Sequence, residues 1–169
     1  MTTDAVVSPP SAAGVFALVA LRMLVGWHFL YEGLVKLLDP YWTAADYLAG
    51  TRGLGSGLFH WLVADPSRLA AVDALNRWGL VLIGAGLIAG LLTRPAAVAG
   101  IVVLGFYYLA YPPLPASSSL LPSEGSYLIV NKVLIELAAL AVLLALPTGR
   151  LVGLDRLVFR NARSEFGRP

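Results

Sequence analysis

The chain has 169 residues, of which 58% are hydrophobic and 13% charged, with a mean hydropathy of +0.76, too apolar for a water-soluble domain of this size. Its net charge of +2 comes largely from arginines near the C-terminus; they are scattered among apolar residues without a recognition motif, which speaks against a nucleic-acid partner. There is no cysteine, which excludes thiol redox chemistry, disulfides, iron–sulfur ligation and cysteine-based zinc sites for this chain alone.

Residues 1–13 are polar and rich in small side chains, and Pro9 and Pro10 block an early helix, so a mobile N-terminal tail is expected. The first apolar stretch, residues 15–38, has no Lys or Arg before it and runs into Lys36 without a small-residue cleavage site. It is read as an uncleaved membrane span. Four ionisable residues lie inside it, Arg22, His28, Glu32 and Lys36. At about 100° per residue the last three step round by roughly 40° each, and Arg22 completes an arc of about 120°. Charge at bilayer depth is costly and faces a bundle interior or a wet cavity, so this arc marks a polar seam.

Residues 41–65 are too apolar for a solvated linker, with Trp42, Tyr47, Leu58, Phe59 and Trp61, and glycines break them into two pieces. Two short interfacial helices over the outer end of the bundle are expected. Asp65-Pro66-Ser67 is a helix start, with Asp65 as N-cap and Pro66 at the first helical position. The helix from there holds the second span, about residues 70–92, whose Gly79, Gly84, Gly86 and Gly90 permit close backbone packing. Thr93-Arg94-Pro95 reads as a tight turn into the third span, about 95–111. That span ends in Tyr107, Tyr108 and Tyr111, which with Tyr41, Trp42, Trp61 and Trp78 make an aromatic belt or a stacking site for a flat ligand. The fourth span, about 127–146, is stopped by Pro147-Thr148-Gly149.

The fold class expected is therefore all-α: an integral membrane four-helix bundle over residues 14–147, followed by a basic tail over 148–169. The tail arginines and Arg94, against a loop at 112–126 without Lys or Arg, place both termini in the cytoplasm and the chain in the inner (cytoplasmic) membrane.

Spans one and four run in opposite directions and present the same order from outside inward, Lys36 over Glu32 and Lys132 over Glu136. Each pair is i,i+4 and suits an intrahelical ion pair. Two carboxylates at one depth also tend to share a proton unless the lysines offset it. His28 and Glu32, again i,i+4, suit a proton relay. A single histidine within the bundle makes neither a metal nor a haem site. The candidate catalytic residues are Glu32, His28 and Glu136, and the candidate ligand contacts are Arg22, Lys36, Asn131, Lys132, Trp78 and Tyr108.

The pattern Arg22…Gly26-Trp27-His28-Phe29…Glu32-Gly33…Lys36-Leu37…Asp39-Pro40 resembles the first helix of the DoxX/DoxD-like membrane proteins. Asn76-Arg77-Trp78-Gly79…Gly84…Gly90-Leu91-Leu92-Thr93-Arg94, Tyr107-Tyr108 with Pro112-Pro113, and Gly125…Asn131-Lys132…Ile135-Glu136 continue the likeness in order. The resemblance implies a four-helix membrane bundle and quinone-linked redox work, since the family includes the DoxD subunit of a thiosulfate:quinone oxidoreductase. It supplies no set of catalytic residues. On this basis the chain is expected to be a small membrane subunit of a quinone-linked oxidoreductase, with a quinone as ligand and other subunits as partners. The alternative is a non-catalytic anchor in a larger complex; a solute channel ranks below both, because four short helices leave little room for a pore.

Overall fold

The structure is a computed structural model and describes residues 11–52, 55–112, 126–127, 129–146 and 148–156. The expected N-terminal tail up to residue 10, the proline-rich loop from residue 113 and the tail arginines from Arg160 onward lie outside the described residues.

Seven helices are present among the described residues: α1 (Ala12–Leu38), α2 (Ala45–Ala49), α3 (Ser56–Val63), α4 (Pro66–Ala89), α5 (Thr93–Ala110), α6 (Lys132–Ala145) and α7 (Thr148–Leu151). Two two-residue strands, β1 (Ser126–Tyr127) and β2 (Val130–Asn131), pair antiparallel just before α6. Helices α1, α4 and α5 are long and apolar enough to cross a membrane. With α6 they close a ring in the order α1, α4, α5, α6, in which α1 packs broadly on α4, α5 on α6, and α1 meets α6 only lightly. The protein is thus an all-α, multi-pass membrane protein built on a four-helix bundle.

Ser11 starts α1 by accepting a hydrogen bond from Gly14 N at 3.1 Å. The buried residues of α1, Arg22, Val25, Gly26, Phe29 and Gly33, form a stripe at helical spacing. Two of them are glycines because the backbone of α4 passes directly over them. A Cβ on Gly33 would lie 2.7 Å from Val81 N, and one on Gly84 would lie 2.7 Å from both Gly26 O and Leu30 Cα. In lipid no hydrophobic force drives helices together, so this backbone approach is what holds α1 to α4. Leu80, Ile83, Leu87, Ala97, Leu104, Leu140 and Leu143 complete the core around Phe29.

Helix α4 begins as expected: Asp65 accepts from Ser67 N and Arg68 N at 2.9 and 3.0 Å, with Pro66 in the first turn. Its end corrects the expected turn at Thr93-Arg94-Pro95. Gly90 takes the left-handed conformation at φ 63°, and Leu91 N bonds back to Gly86 O at 3.0 Å, a Schellman closure. Thr93, Arg94 and Pro95 are already the first turn of α5, where proline costs no hydrogen bond. Leu92, also at positive φ, has no side-chain cap to offer. Asp155 supplies one from outside the helix, accepting from Leu92 N (2.7 Å), Thr93 N (3.1 Å) and Thr93 Oγ1 (2.7 Å). Leu154 N and Asp155 N in turn donate to the Ala89 and Gly90 carbonyls. Residues 148–156, the start of the basic segment, are therefore folded back over this end of the bundle.

Helix α6 starts later than the apolar pattern indicates. Asn131 is its N-cap and accepts from Leu134 N at 2.9 Å, so the residues before it pair as extended chain. Its 14 residues rise ~21 Å, less than the ~30 Å of a bilayer core, and the extended residues at its start add to that length.

Gly84→Ala is expected to lower the stability of the detergent-solubilised protein by about 1–3 kcal/mol through backbone overpacking. Gly79→Ala, whose Cβ meets nothing within 4 Å, should be neutral or stabilising by up to about 1 kcal/mol. Thermal unfolding of the two variants side by side checks the contact.

Candidate ligand pocket

With its glycine stripe turned to α4, α1 presents His28, Glu32 and Lys36 on another side. These three line a cavity of about 430 Å³ at the end of the bundle covered by α2 and α3. Asn131, the N-cap of α6, and Lys132, Val133 and Glu136 within it line the cavity too, with Asn76 and Leu80 of α4, Leu104 and Tyr107 of α5, and Tyr111 just past its end. Trp42, Thr43, Ala44 and Tyr47 line it from the segment that holds α2.

The charged groups pair differently from the intrahelical pattern. Lys36 donates to Glu32 at 2.7 Å, the expected i,i+4 pair. Glu136, however, pairs with His28 Nδ1 at 2.6 Å across the α1–α6 seam, and no Lys132–Glu136 ion pair forms. Lys132 is the first residue of α6, where the helix dipole disfavours a cation, and it is exposed. His28 offers Glu136 a short, rigid partner from the facing helix. The same contact removes the expected His28–Glu32 relay, and each carboxylate has its own cationic or hydrogen-bonding partner rather than sharing a proton with the other. The pair is unevenly placed, with the His28 side chain 48% exposed and that of Glu136 13%. A carboxylate on Nδ1 fixes the ring orientation and leaves Nε2 for exchange with a ligand.

Of the nine residues named from sequence, six line the cavity: His28, Glu32, Lys36, Asn131, Lys132 and Glu136. Asn131 spends its Oδ1 on capping α6 and keeps its amide N–H groups for other partners. Arg22 is not there. It sits about 120° round α1 from His28 but only about 40° and 20° from Gly26 and Gly33. It therefore follows the glycine stripe to the other end of the bundle, 3% exposed against Gly90 and in the field of Asp155. Trp78 is 55% exposed on the outside of α4 and does not line the cavity. Tyr108 is turned away as well, its hydroxyl donating to Ile129 O at 2.8 Å and tying α5 to the chain entering α6.

The aromatic belt offered from sequence as a stacking site does supply part of the lining, through Trp42, Tyr107 and Tyr111, whereas Asn76 on the α4 wall was not named as a site residue. Trp42 has two cations near its ring, Lys36 Nζ at 5.8 Å and the Arg77 guanidinium at 5.3 Å from its centre, and Arg77 also donates to its carbonyl. Ala44 N donates to Asp73 at 2.8 Å. Tyr47 packs its ring 4.7 Å from that of Tyr111, whose hydroxyl donates to Tyr47 O at 2.9 Å. Burial, with Tyr107 and Tyr111 nearby, pushes the Tyr47 hydroxyl up to about 12, so it stays neutral and a donor at physiological pH. The belt tyrosines Tyr107 and Tyr111 and Trp42 are thus partly a cavity-facing surface. The available signal was the spacing of Tyr107 and Tyr111, i,i+4 on one face, with Leu104 three residues before Tyr107.

Residues 17–111, more than half of the chain, match the DoxX family. The chain belongs to the DoxX family. The matched segment carries most of α1, all of α2 to α5 and, from the pocket, His28, Glu32, Lys36, Asn76 and Tyr107; Asn131, Lys132 and Glu136 lie beyond it. No curated protein and no solved structure matches the chain.

A double-mutant cycle of His28→Ala and Glu136→Ala is expected to give a coupling of about 1 kcal/mol, modest because His28 is half exposed. Unfolding of the four proteins in the same detergent measures it, and a coupling of zero would mean the α1–α6 bridge does not form.

Proposed function

We propose that this protein is a small integral-membrane subunit of a quinone-linked oxidoreductase, binding the headgroup of a quinone or similar apolar ligand in the α1–α4–α5–α6 pocket. The observation that carries the reading is one cavity combining a His–Glu pair, a Lys–Glu pair and a further lysine with apolar and aromatic walls. Its volume of about 430 Å³ suits a small ring, and the mix of apolar lining with few convergent polar groups is that of a ligand site.

A bound quinone supplies the capacity to take up two electrons and two protons. The residues here handle the protons and the binding. His28, oriented by Glu136, holds or releases a proton at Nε2 toward the ligand. Lys132, without an ion pair among the described residues, donates to a ligand oxygen, as does the Asn131 amide. Lys36 and Glu32 neutralise each other in the lining of the cavity. Trp42, Tyr47 and Tyr111 close over the ring and exclude water. The chain has no cysteine, so electrons come from a partner subunit or a soluble substrate. In this reading the basic end that carries Arg94 faces the cytoplasm and the pocket opens near the outer leaflet of the inner membrane.

The anchor reading draws no support from Gly86 and Gly90. Gly86 packs toward Leu91 and Ala96, and Gly90 against Gly153 and Arg22, so both are used within the chain.

Organic extraction of the protein purified in mild detergent, followed by mass spectrometry, should recover close to one quinone per chain. Glu136→Gln, inserted and eluting as the wild type does, should retain about a tenth of that or less. Wild-type protein that carries no quinone and takes none up from quinone-loaded vesicles would overturn the reading.

A further inference from the structure

The wall facing the His28–Glu136 bridge carries a second polar pair that the function above leaves unused. Asn76 on α4 donates its Nδ2 to the Tyr107 hydroxyl on α5 at 2.6 Å, and both residues line the cavity. Because the ring of helices runs α1, α4, α5, α6, this pair and the His28–Glu136 pair stand on opposite walls. Between them lie Phe29, Leu80 and Leu104, which offer no hydrogen bond.

The hydrogen-bond inventory of the pair is incomplete. The Tyr107 oxygen accepts from Asn76, and its own proton has no acceptor among the described residues. Asn76 Oδ1 is buried and has no partner either. A side-chain amide turned by 180° exchanges its donor and acceptor ends, and a tyrosine hydroxyl both donates and accepts. Since Oδ1 is bonded to nothing else, reversing the Asn76 amide breaks no third contact. In one arrangement Asn76 donates to Tyr107, and Tyr107 donates into the cavity. In the reverse arrangement Tyr107 donates to Asn76 Oδ1, and its lone pair faces the cavity as an acceptor.

We propose that Tyr107 is the ligand contact of the α4–α5 wall and that Asn76 sets its polarity, so that the pocket takes a ring bearing oxygens at opposite edges in both its carbonyl and its hydroxyl form. The proposal rests on the quinone reading and narrows it to a 1,4-benzoquinone and the corresponding hydroquinone. One ring oxygen lies toward the His28 wall. The other meets Tyr107 as donor when it is a carbonyl and as acceptor when it is a hydroxyl. Asn76 touches Tyr107 rather than the ligand and is a positioning residue. A fixed donor at this place would favour the oxidised ring, and a fixed acceptor the reduced one. A reversible pair lets the site hold both without strong preference, as a site that cycles between them requires.

The test uses the full chain in detergent and two probes, a decyl-tailed 1,4-benzoquinone and its hydroquinone, with dissociation constants measured for each under anaerobic conditions. Wild type should bind the two within a few-fold of each other. Tyr107→Phe, which keeps the ring and loses the hydroxyl, should weaken both by about tenfold. Asn76→Asp offers Tyr107 only an acceptor, which fixes the hydroxyl as a donor to residue 76. It should weaken the benzoquinone by about tenfold while leaving the hydroquinone within twofold of wild type. That asymmetry is what a merely structural role for Asn76 would not produce. Equal losses for both probes in Asn76→Asp, or unchanged binding in Tyr107→Phe, would overturn the proposal while leaving the quinone reading standing. Wild type that binds neither probe would remove the quinone reading and this proposal with it.

Discussion

The contact between the backbones of α1 and α4 sets the rest of the molecule. Gly26 and Gly33 on one helix and Gly84 on the other bring the two chains close enough that a methyl group at any of these positions would meet backbone or a Cβ. Such an approach fixes the rotation of α1 about its own axis. With the glycines turned to α4, Lys36 and Glu32 lie about 60° and 100° round from Gly33, and His28 about 140°. They can face only the side where α6 stands. The same approach that fills one side of α1 leaves room on the other, and the cavity occupies it. Glycine packing and the polar pocket are thus two consequences of one helix rotation.

The charges do not hold the fold together. Ion pairs removed from water recover little net free energy, since desolvation offsets most of their attraction. A bundle of this kind owes its stability to the close-packed layer of Phe29, Ile83, Leu87, Leu140 and Leu143 beneath the cavity. What the charges do is satisfy one another at the seam where α1 and α6 meet most lightly. His28 and Glu136 bridge that seam at 2.6 Å, and Lys36 neutralises Glu32 on the same helix face.

Much of the fold was legible in the sequence, because hydropathy and helix capping are local. Four apolar stretches give the four bundle helices, Asp65-Pro66 marks a helix start, and the broken apolar segment at 41–65 gives α2 and α3. The turn at 90–92 was not legible. Its cap comes from Asp155, more than sixty residues away, and no local pattern announces a borrowed cap. The candidate site divides the same way. Glu32 and Lys36 pair within one helix, which spacing reveals. Glu136 chose His28 over Lys132 through helix packing, which spacing cannot show. Arg22 was assigned to the seam as the far edge of a roughly 120° arc, and that edge is also the side on which the glycines lie. Tyr107 stood out only as one of the belt aromatics, and uncharged Asn76 not as a site residue, because their pairing depends on how α4 and α5 pack.

The two ends of the bundle are built by different means, and the difference bears on where a ligand enters. At the Arg22 end, Asp155 takes three hydrogen bonds from the start of α5, and Gly153 packs onto Gly90 so closely that a Cβ would fall 2.8 Å from the Gly90 carbonyl. Backbone is locked to backbone there, with Thr93, Thr148 and Asp155 buried. Over the pocket, α2 is fastened mainly by side chains: the Tyr111 hydroxyl on Tyr47 O, Asp73 on Ala44 N, and Arg77 on the Trp42 carbonyl. Half-exposed side-chain bonds break more readily than buried backbone ones, and local opening concentrates where contacts are few. The pocket therefore lies beneath the weaker end and beside the weaker seam, so the proposed quinone could enter from the bilayer without unpacking the glycine contact on which the whole bundle turns.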